Sequence, residues 1–129
     1  MTDIDLATAV RVTAPDGSTV HLLGAVEGAG TAIFELGPGA VARAVHHPRV
    51  EEVWFVLSGH GQLWRRHALS DQGAFSDLVP SRSLVLTRGT TFQWRCDGVE
   101  PLRIVGTTSP AWQGPQDAQA VDGPWEPTV

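Results

Sequence analysis

Short apolar or alternating runs, separated by turn signals, make up most of the chain. None of these runs shows the apolar period of three to four residues that is typical of an amphipathic helix. Short runs bounded by glycine, proline and aspartate are typical of strands in a β-sandwich or barrel. The pattern therefore predicts an all-β fold with strands in residues 9–14, 18–26, 31–37, 40–47, 51–57, 61–67, 76–80, 83–87, 90–96 and 101–109.

The length of the chain predicts one domain over residues 1–129. With 129 residues and 42% apolar content, the chain can bury one hydrophobic core. The proline- and glycine-rich tail, residues 109–129, is not expected to form a regular element. Because this tail carries Trp112 and Trp125, we expect it to pack on the domain as an ordered cover.

Composition and charge exclude several classes of function. The formal net charge is −5, and no basic run is longer than Arg65-Arg66, so we expect no nucleic acid partner. The chain has no lysine or tyrosine, which excludes Schiff-base and phenolic chemistry, and it has no phosphate-binding loop or dinucleotide fingerprint. Cys96 is the only cysteine, so no intrachain disulfide can form. The start of the chain lacks the pattern of a signal peptide, which predicts a cytoplasmic protein with no membrane partner.

The segment 46–61, HHPRVEEVWFVLSGHG, carries the strongest candidate chemistry. Gly39, His47, Glu52 and Gly59 have the spacing of the first cupin motif, in which a glycine precedes two histidines, a glutamate and a second glycine. The sequence therefore resembles the cupin superfamily over about residues 30–108. The resemblance implies a cupin-type jelly-roll barrel of two antiparallel sheets with a ligand cavity between them.

The resemblance also implies four metal-ligand positions, and the sequence retains two of them. These positions are Val45, His47, Glu52 and Phe92, so only a histidine and a glutamate remain as donors. Transition metals in nitrogen and oxygen sites take three or more protein donors, and two would hold a metal weakly. We therefore expect no metal cofactor. A divalent transition metal remains an alternative if a bulge turns His46 inward beside His47 and Glu52.

Strand alternation predicts the lining of the cavity when His47 and Glu52 are taken as inward-facing. The residues expected on the inner face are Val41, Arg43, Val45 and His47 on one strand, Glu52, Trp54 and Val56 on the next, and Phe92, Trp94 and Cys96 on the strand predicted for residues 90–96. Val45, Trp54, Val56, Phe92 and Trp94 would bind the substrate. His46, Glu51, His60 and His67 are expected at the surface, and Cys96 is expected to be a buried, inert thiol.

These residues suggest an enzyme that acts without a metal. His47 and Glu52 would form an acid–base pair, and Arg43 would stabilise a developing oxyanion. Reactions of this kind are those of an isomerase, cyclase or dehydratase acting on a small hydrophobic or aromatic metabolite. Small single-domain cupins with such activities resemble tailoring enzymes of bacterial secondary metabolism.

Other interpretations of the same residues remain open. The chain could be a metal-dependent cupin oxygenase or cyclase with a rebuilt site, in which His46 or His60 adds a donor, or a non-catalytic binding module. Glu52 could instead serve a structural ion pair with Arg43 or His47. Trp94 could fill the former metal site and leave no cavity. The resemblance also implies a homodimer, because cupins of this size pair through edge strands.

Overall fold

The computed structural model describes residues 2–68, 70–112, 114 and 118–129. Residues 113 and 115–117 of the predicted tail lie outside these described residues. After a short 3₁₀ helix, Leu6–Thr8, the strands are β1 (Arg11–Thr13), β2 (Thr19–Val26), β3 (Ala29–Leu36), β4 (Val45–His46), β5 (Glu51–Ser58), β6 (Gly61–Arg66), β7 (Ala74–Leu78), β8 (Ser83–Leu86), β9 (Thr91–Cys96), β10 (Leu102–Ser109) and β11 (Gln119–Ala120). Each predicted run overlaps one of these strands, and β11 is the strand that the sequence pattern did not predict.

The strands form two antiparallel sheets that face each other as in a jelly roll. One sheet has the order β1-β2-β3-β10-β5-β8, and the other has the order β11-β4-β9-β6-β7. Among the described residues, no strand pairing joins the two sheets into a closed barrel. The hydrophobic core lies between them and includes Trp54, Val56, Leu63, Trp94 and Ile104. The all-β jelly roll predicted from the sequence is confirmed.

Strand β5 shows the expected alternation between the two faces of the larger sheet. Its buried residues are Glu52, Trp54 and Val56, and the residues between them, Val53, Phe55 and Leu57, are exposed. The inward set therefore brings one carboxyl group and one indole to the interior. The exposed apolar set lies on the outer face, and the homodimer stays a prediction that a single chain does not test.

Arg43 does not face inward, and the expectation that it lines the cavity is wrong. Ala42 and Val45 both belong to the core cluster although they are three residues apart, so the alternation slips by one position between them. The regular strand begins only at Val45. Arg43 is exposed, and its Nε donates a hydrogen bond of 2.9 Å to the backbone oxygen of Val129. The Arg43 side chain therefore binds the backbone of residue 129 and does not border the cavity.

The later part of the tail, from β11 onward, packs on the smaller sheet. Strand β11 pairs with β4, and the Trp125 ring lies 4.5 Å from the Arg95 guanidinium. The amide of Gln93 fixes the Trp125 backbone through hydrogen bonds of 2.9 and 3.1 Å. That the whole tail forms an ordered cover stays a prediction. Among the described residues, no helix is long and apolar enough to cross a membrane.

Candidate active site

A cavity of about 300 Å³ opens between the two sheets. Its aromatic lining is formed by Phe34, Trp54, Phe92, Trp94 and Trp112. Its polar lining is formed by Asp16, Ser18, His47, Arg49, Glu52 and Thr108. A largely apolar pocket with a few convergent polar groups is the usual form of a small-molecule site. The cavity is therefore the candidate active site, and Trp94 forms one of its walls without filling it.

The aromatic rings pack against one another and form a rigid wall. Trp54 lies at the centre, with ring centroids 5.2 Å from Trp94 and 5.6 Å from Phe92 in edge-to-face contacts. The imidazole of His47 stacks on Phe92 at 5.5 Å with an interplanar angle of 9°. Offset and edge-to-face contacts of this kind are favourable and restrict ring motion. The rings of Trp54, Phe92 and Trp94 are almost fully buried and border the cavity as one packed aromatic cluster.

Glu52 is a buried carboxyl group whose acidity is strongly changed by its surroundings. Burial raises the pKa of Glu52 from its usual value near 4.5 to about 7, and the charge of Asp16 adds to the rise. A hydrogen bond of 3.2 Å from Trp54 Nε1 to Glu52 Oε1 acts in the opposite direction, because it stabilises the ionised form. Alternation along β5 places these two side chains on one face, two residues apart. Glu52 can therefore both give and take a proton near neutral pH.

Asp16 is a second carboxylate of the cavity, and the sequence pattern did not reveal it. It lies in the turn between β1 and β2, where an Ala-Pro-Asp-Gly sequence indicated only a turn. Its Oδ1 accepts hydrogen bonds from the Ser18 backbone N–H at 2.9 Å and from the Ser18 hydroxyl at 2.6 Å. Its Oδ2 accepts from Trp94 Nε1 at 2.9 Å. Three donors thus fix a negative charge in the cavity wall.

His47 and Arg49 bring nitrogen groups to the same cavity. His47 follows β4, and its backbone N–H donates to the Thr90 carbonyl at 3.2 Å, which holds this segment against the start of β9. Arg49 borders the cavity from the turn before β5. Arg49, which the sequence interpretation did not select, is the arginine that borders the cavity, where Arg43 had been expected.

The structure separates the other candidate residues into those inside and those outside the cavity. Val45, Trp54, Phe92 and Trp94 line it as expected. Val56 was also expected to contact the substrate, but it is fully buried in the core and does not border the cavity. Val41 and Cys96 likewise do not border it, and Cys96 is buried.

The remaining histidines and Glu51 lie away from the cavity. His46 Nδ1 is 3.0 Å from the Thr91 hydroxyl, and Glu51 pairs with Arg88 at 3.7 Å on the surface. His60 and His67 are exposed. None of these side chains adds a donor beside His47 and Glu52.

The residues at the four cupin ligand positions do not fit a transition metal. Val45 and Phe92 are opposite each other in the β4–β9 ladder, and both side chains line the cavity. They place an aliphatic group and a phenyl ring where donors would be needed. Within the described ranges, no group of three or more histidine, cysteine, aspartate or glutamate side chains could hold a metal ion.

Comparison with known proteins identifies the fold. No model of a known protein family and no curated protein sequence matches the chain. Among solved structures, KdgF from Halomonas sp. is 14% identical with a TM-score of 0.70, covering 84% of this chain and 94% of its own. Pac13, a nucleoside dehydratase of Streptomyces, is 15% identical to this chain with a TM-score of 0.69. The match covers 94% of this chain and 91% of Pac13.

A third similar structure belongs to a much longer protein. CapF, a capsular polysaccharide assembling protein of Staphylococcus aureus, is 15% identical with a TM-score of 0.72, and the match covers 89% of this chain. This chain spans about a third of CapF, since 34% of the latter is covered. At these identities the likeness shows the fold and not the activity. Together with the motif spacing, it shows that the chain has the fold of the cupin superfamily.

Proposed function

We propose that the chain is an enzyme that moves protons on a small molecule carrying an apolar or aromatic ring, with no metal in the chemical step. The observation that carries this proposal is Glu52, a buried carboxyl group with a pKa raised to about 7 in the wall of an aromatic cavity. A general acid or base works best when its pKa is near the working pH. A carboxyl group at the usual pKa would be almost fully ionised at neutral pH and could not act as an acid.

The polar groups of the cavity supply a base, an acid and a cation that such a reaction needs. The Glu52 carboxylate removes a proton from a carbon next to a carbonyl or from a hydroxyl group, and the His47 imidazole returns one. Arg49 stabilises the negative charge that develops on the substrate oxygen. Asp16 stays outside the proton transfer, because Ser18 and Trp94 already occupy both of its oxygens.

The ring wall supports the choice of substrate class. Trp54, Phe92 and Trp94 line the cavity with aromatic side chains, which favours a conjugated or apolar ring as the ligand. Removal and return of a proton give an isomerase or cyclase, and loss of a hydroxyl group with the proton gives a dehydratase. Pac13, which shares the fold, is a nucleoside dehydratase, so the fold accommodates dehydration. A role in bacterial secondary metabolism remains part of this proposal.

The experiment that tests the proposal is a screen in heavy water. Ring-bearing ketones and hydroxy compounds are incubated with the protein in D₂O, and mass spectrometry follows deuterium uptake and loss of water. With a compound that the wild type converts, Glu52→Gln should lower the rate by about 10²–10⁴-fold. Gln keeps an oxygen that accepts the Trp54 N–H, so the fold should be retained.

The matched control is Glu51→Gln, which makes the same chemical change one residue away on the opposite face of β5. Glu51 is exposed and pairs with Arg88, so this variant should keep the wild-type rate. Equal rates in the wild type and a folded Glu52→Gln variant would overturn the proposal.

A further inference from the structure

A second cavity, of about 450 Å³, lies beside the first. Its wall comes from the N-terminal segment, from β2 and β3 and from the segment after β10. Thr108, Ala111 and Trp112 line both cavities. The two spaces are thus separated by a wall of three residues.

The register of the larger sheet explains why the two cavities adjoin. Thr108 of β10 pairs with Glu52 on one side and with Gly30 on the other. Glu52 on β5 lines the first cavity and Gly30 on β3 lines the second, so the cavities lie over two strands of one sheet that are separated only by β10. Neighbouring strands are about 4.8 Å apart, so β3 and β5, with β10 between them, are about 10 Å apart. One small molecule can span that separation.

Gly30 also determines how closely the segment after β10, which contains Ala111 and Trp112, approaches β3. A Cβ atom at Gly30 would lie 3.0 Å from the Ala111 Cβ, which is tighter than ordinary contact. The absence of a side chain at position 30 therefore allows Ala111 to lie directly on the strand. This close approach places Ala111 at the boundary of both cavities.

The chemistry of the second cavity differs from that of the first. Apart from Trp112, which it shares with the first cavity, its described wall is aliphatic or small, with Ile4, Val10 and Leu22 as the larger aliphatic side chains. Asp3, which is exposed, is the one charged residue among the described residues of this wall. The wall has no histidine and no buried carboxyl group among these residues, so it can bind but has no acid–base pair. It suits an aliphatic group better than an ion.

We propose that the second cavity is a subsite for an aliphatic substituent of the substrate whose ring occupies the first cavity. The substrate class is then an alkyl-substituted ring compound, with the reacting atoms beside Glu52 and the alkyl chain against Leu22 and Val10. This inference rests on the proposed function for its assignment of the ring. Binding energy from a non-reacting chain helps to fix the ring in the reactive position.

The test uses a series of probes that differ only in chain length: phenol, para-ethylphenol, para-butylphenol and para-hexylphenol. Isothermal titration calorimetry gives each Kd for the full chain. Each further methylene that is buried should tighten binding by about fourfold in the wild type. The ¹³C resonance of the Glu52 carboxyl, followed in the same samples, reports whether the ring lies in the first cavity.

Filling variants show where the alkyl chain binds. Ala25 and Ala9 line the second cavity and not the first, so Ala25→Trp and Ala9→Trp should each flatten the dependence on chain length while phenol binds as before. If one of these two variants fails to fold, the other still tests the second cavity. Ala74→Trp, on an exposed position of β7 that borders neither cavity, is the matched control and should keep the full dependence.

The outcomes separate this inference from the proposed function. If phenol shifts the Glu52 resonance but longer chains add no affinity, the second subsite is overturned and the proposed function stands. A chain-length dependence that persists in both filling variants also overturns the subsite. If no probe shifts the Glu52 resonance, the ring does not occupy the first cavity, and both proposals are overturned.

Discussion

Trp94 Nε1 donates a hydrogen bond of 2.9 Å to Asp16 Oδ2 and so joins β9 to the turn between β1 and β2. A parallel arrangement lies beside it, in which Trp54 Nε1 donates to Glu52 at 3.2 Å. The two indole rings are themselves in edge-to-face contact at 5.2 Å. Two carboxyl groups are thus held by two contacting tryptophans in one cavity, and burial raises the pKa of Glu52 to about 7. Pairs of acids with different surroundings can take different roles in one site.

The charge of Asp16 should be measurable at Glu52. Asp16→Asn removes a negative charge that raises the pKa of Glu52, so this pKa should fall below about 7. Because burial is the larger cause, the fall should be no more than about one unit. A ¹³C NMR titration of the Glu52 carboxyl measures it.

The matched control for this titration is Asp77→Asn, since Asp77 is exposed and belongs to β7, away from the cavity. It should leave the Glu52 pKa unchanged. An unchanged Glu52 pKa in folded Asp16→Asn would show that the two carboxyl groups do not interact.

Stability should depend on pH through Glu52. The pKa of this group is about 7 in the native state and near 4.5 in the unfolded chain, so between these values the native state holds a proton that the unfolded chain has lost. The contribution to stability is complete below the unfolded pKa, and the free energy of unfolding falls as the pH rises through this window. The loss should be about 3 kcal/mol by about pH 8.

Urea unfolding of the wild type and of Glu52→Gln across the same pH range isolates this effect. The variant cannot ionise at position 52, so its stability relative to the wild type should rise with pH. A constant difference between the two proteins from acid to mildly alkaline pH would contradict the assignment of a raised pKa.

The sequence predicted the fold more completely than the site, and particular residues show why. Alternation along β5 and β9 placed Glu52, Trp54, Phe92 and Trp94 correctly, because these strands are regular and have a buried face. It failed at Arg43, where the irregular segment before β4 shifts the phase by one residue. One such slip exchanges the faces of all side chains before it.

Asp16 and Arg49 were missed for a different reason. Both lie in turns, where no period relates a side chain to a face of a sheet. Asp16 reaches the cavity because Trp94, 78 residues away in sequence, donates to it. Contacts at such separation depend on the packing of the two sheets and leave no local signal in the sequence.

A charge cluster on the outer face of the larger sheet should stabilise the protein at neutral pH. Arg103 Nε donates to Glu35 Oε2 at 2.8 Å, and His21 Nε2 lies 3.0 Å from Glu35 Oε1. Burial raises the pKa of Glu35, but the hydrogen bonds and charges of Arg103 and His21 lower it by more, and the net pKa is below 4.5. The stabilising contribution is therefore present above pH 4.5 and is lost as the pH falls through the folded pKa.

Arg103→Gln should lower the free energy of unfolding by about 1 kcal/mol at neutral pH, and the loss should shrink on acidification. Arg88→Gln is the control, because its pair with Glu51 is 3.7 Å long and largely exposed. That variant should change stability by less than about 0.5 kcal/mol. A loss for Arg103→Gln that does not depend on pH would point to packing of the arginine stem and not to its charge.

We expect the wild type to bind transition metals weakly, because Val45 and Phe92 occupy two of the four cupin ligand positions. Val45 and Phe92 are paired across β4 and β9, so Val45→His with Phe92→His would place two imidazoles beside His47 and Glu52. Four nitrogen and oxygen donors then surround one point, as a zinc site requires. Elemental analysis after incubation with zinc and desalting should find substoichiometric metal in the wild type and about one ion per chain in the double variant. Near-stoichiometric metal in the wild type would instead show that other donors complete a site with His47 and Glu52, and the metal-free mechanism would be wrong.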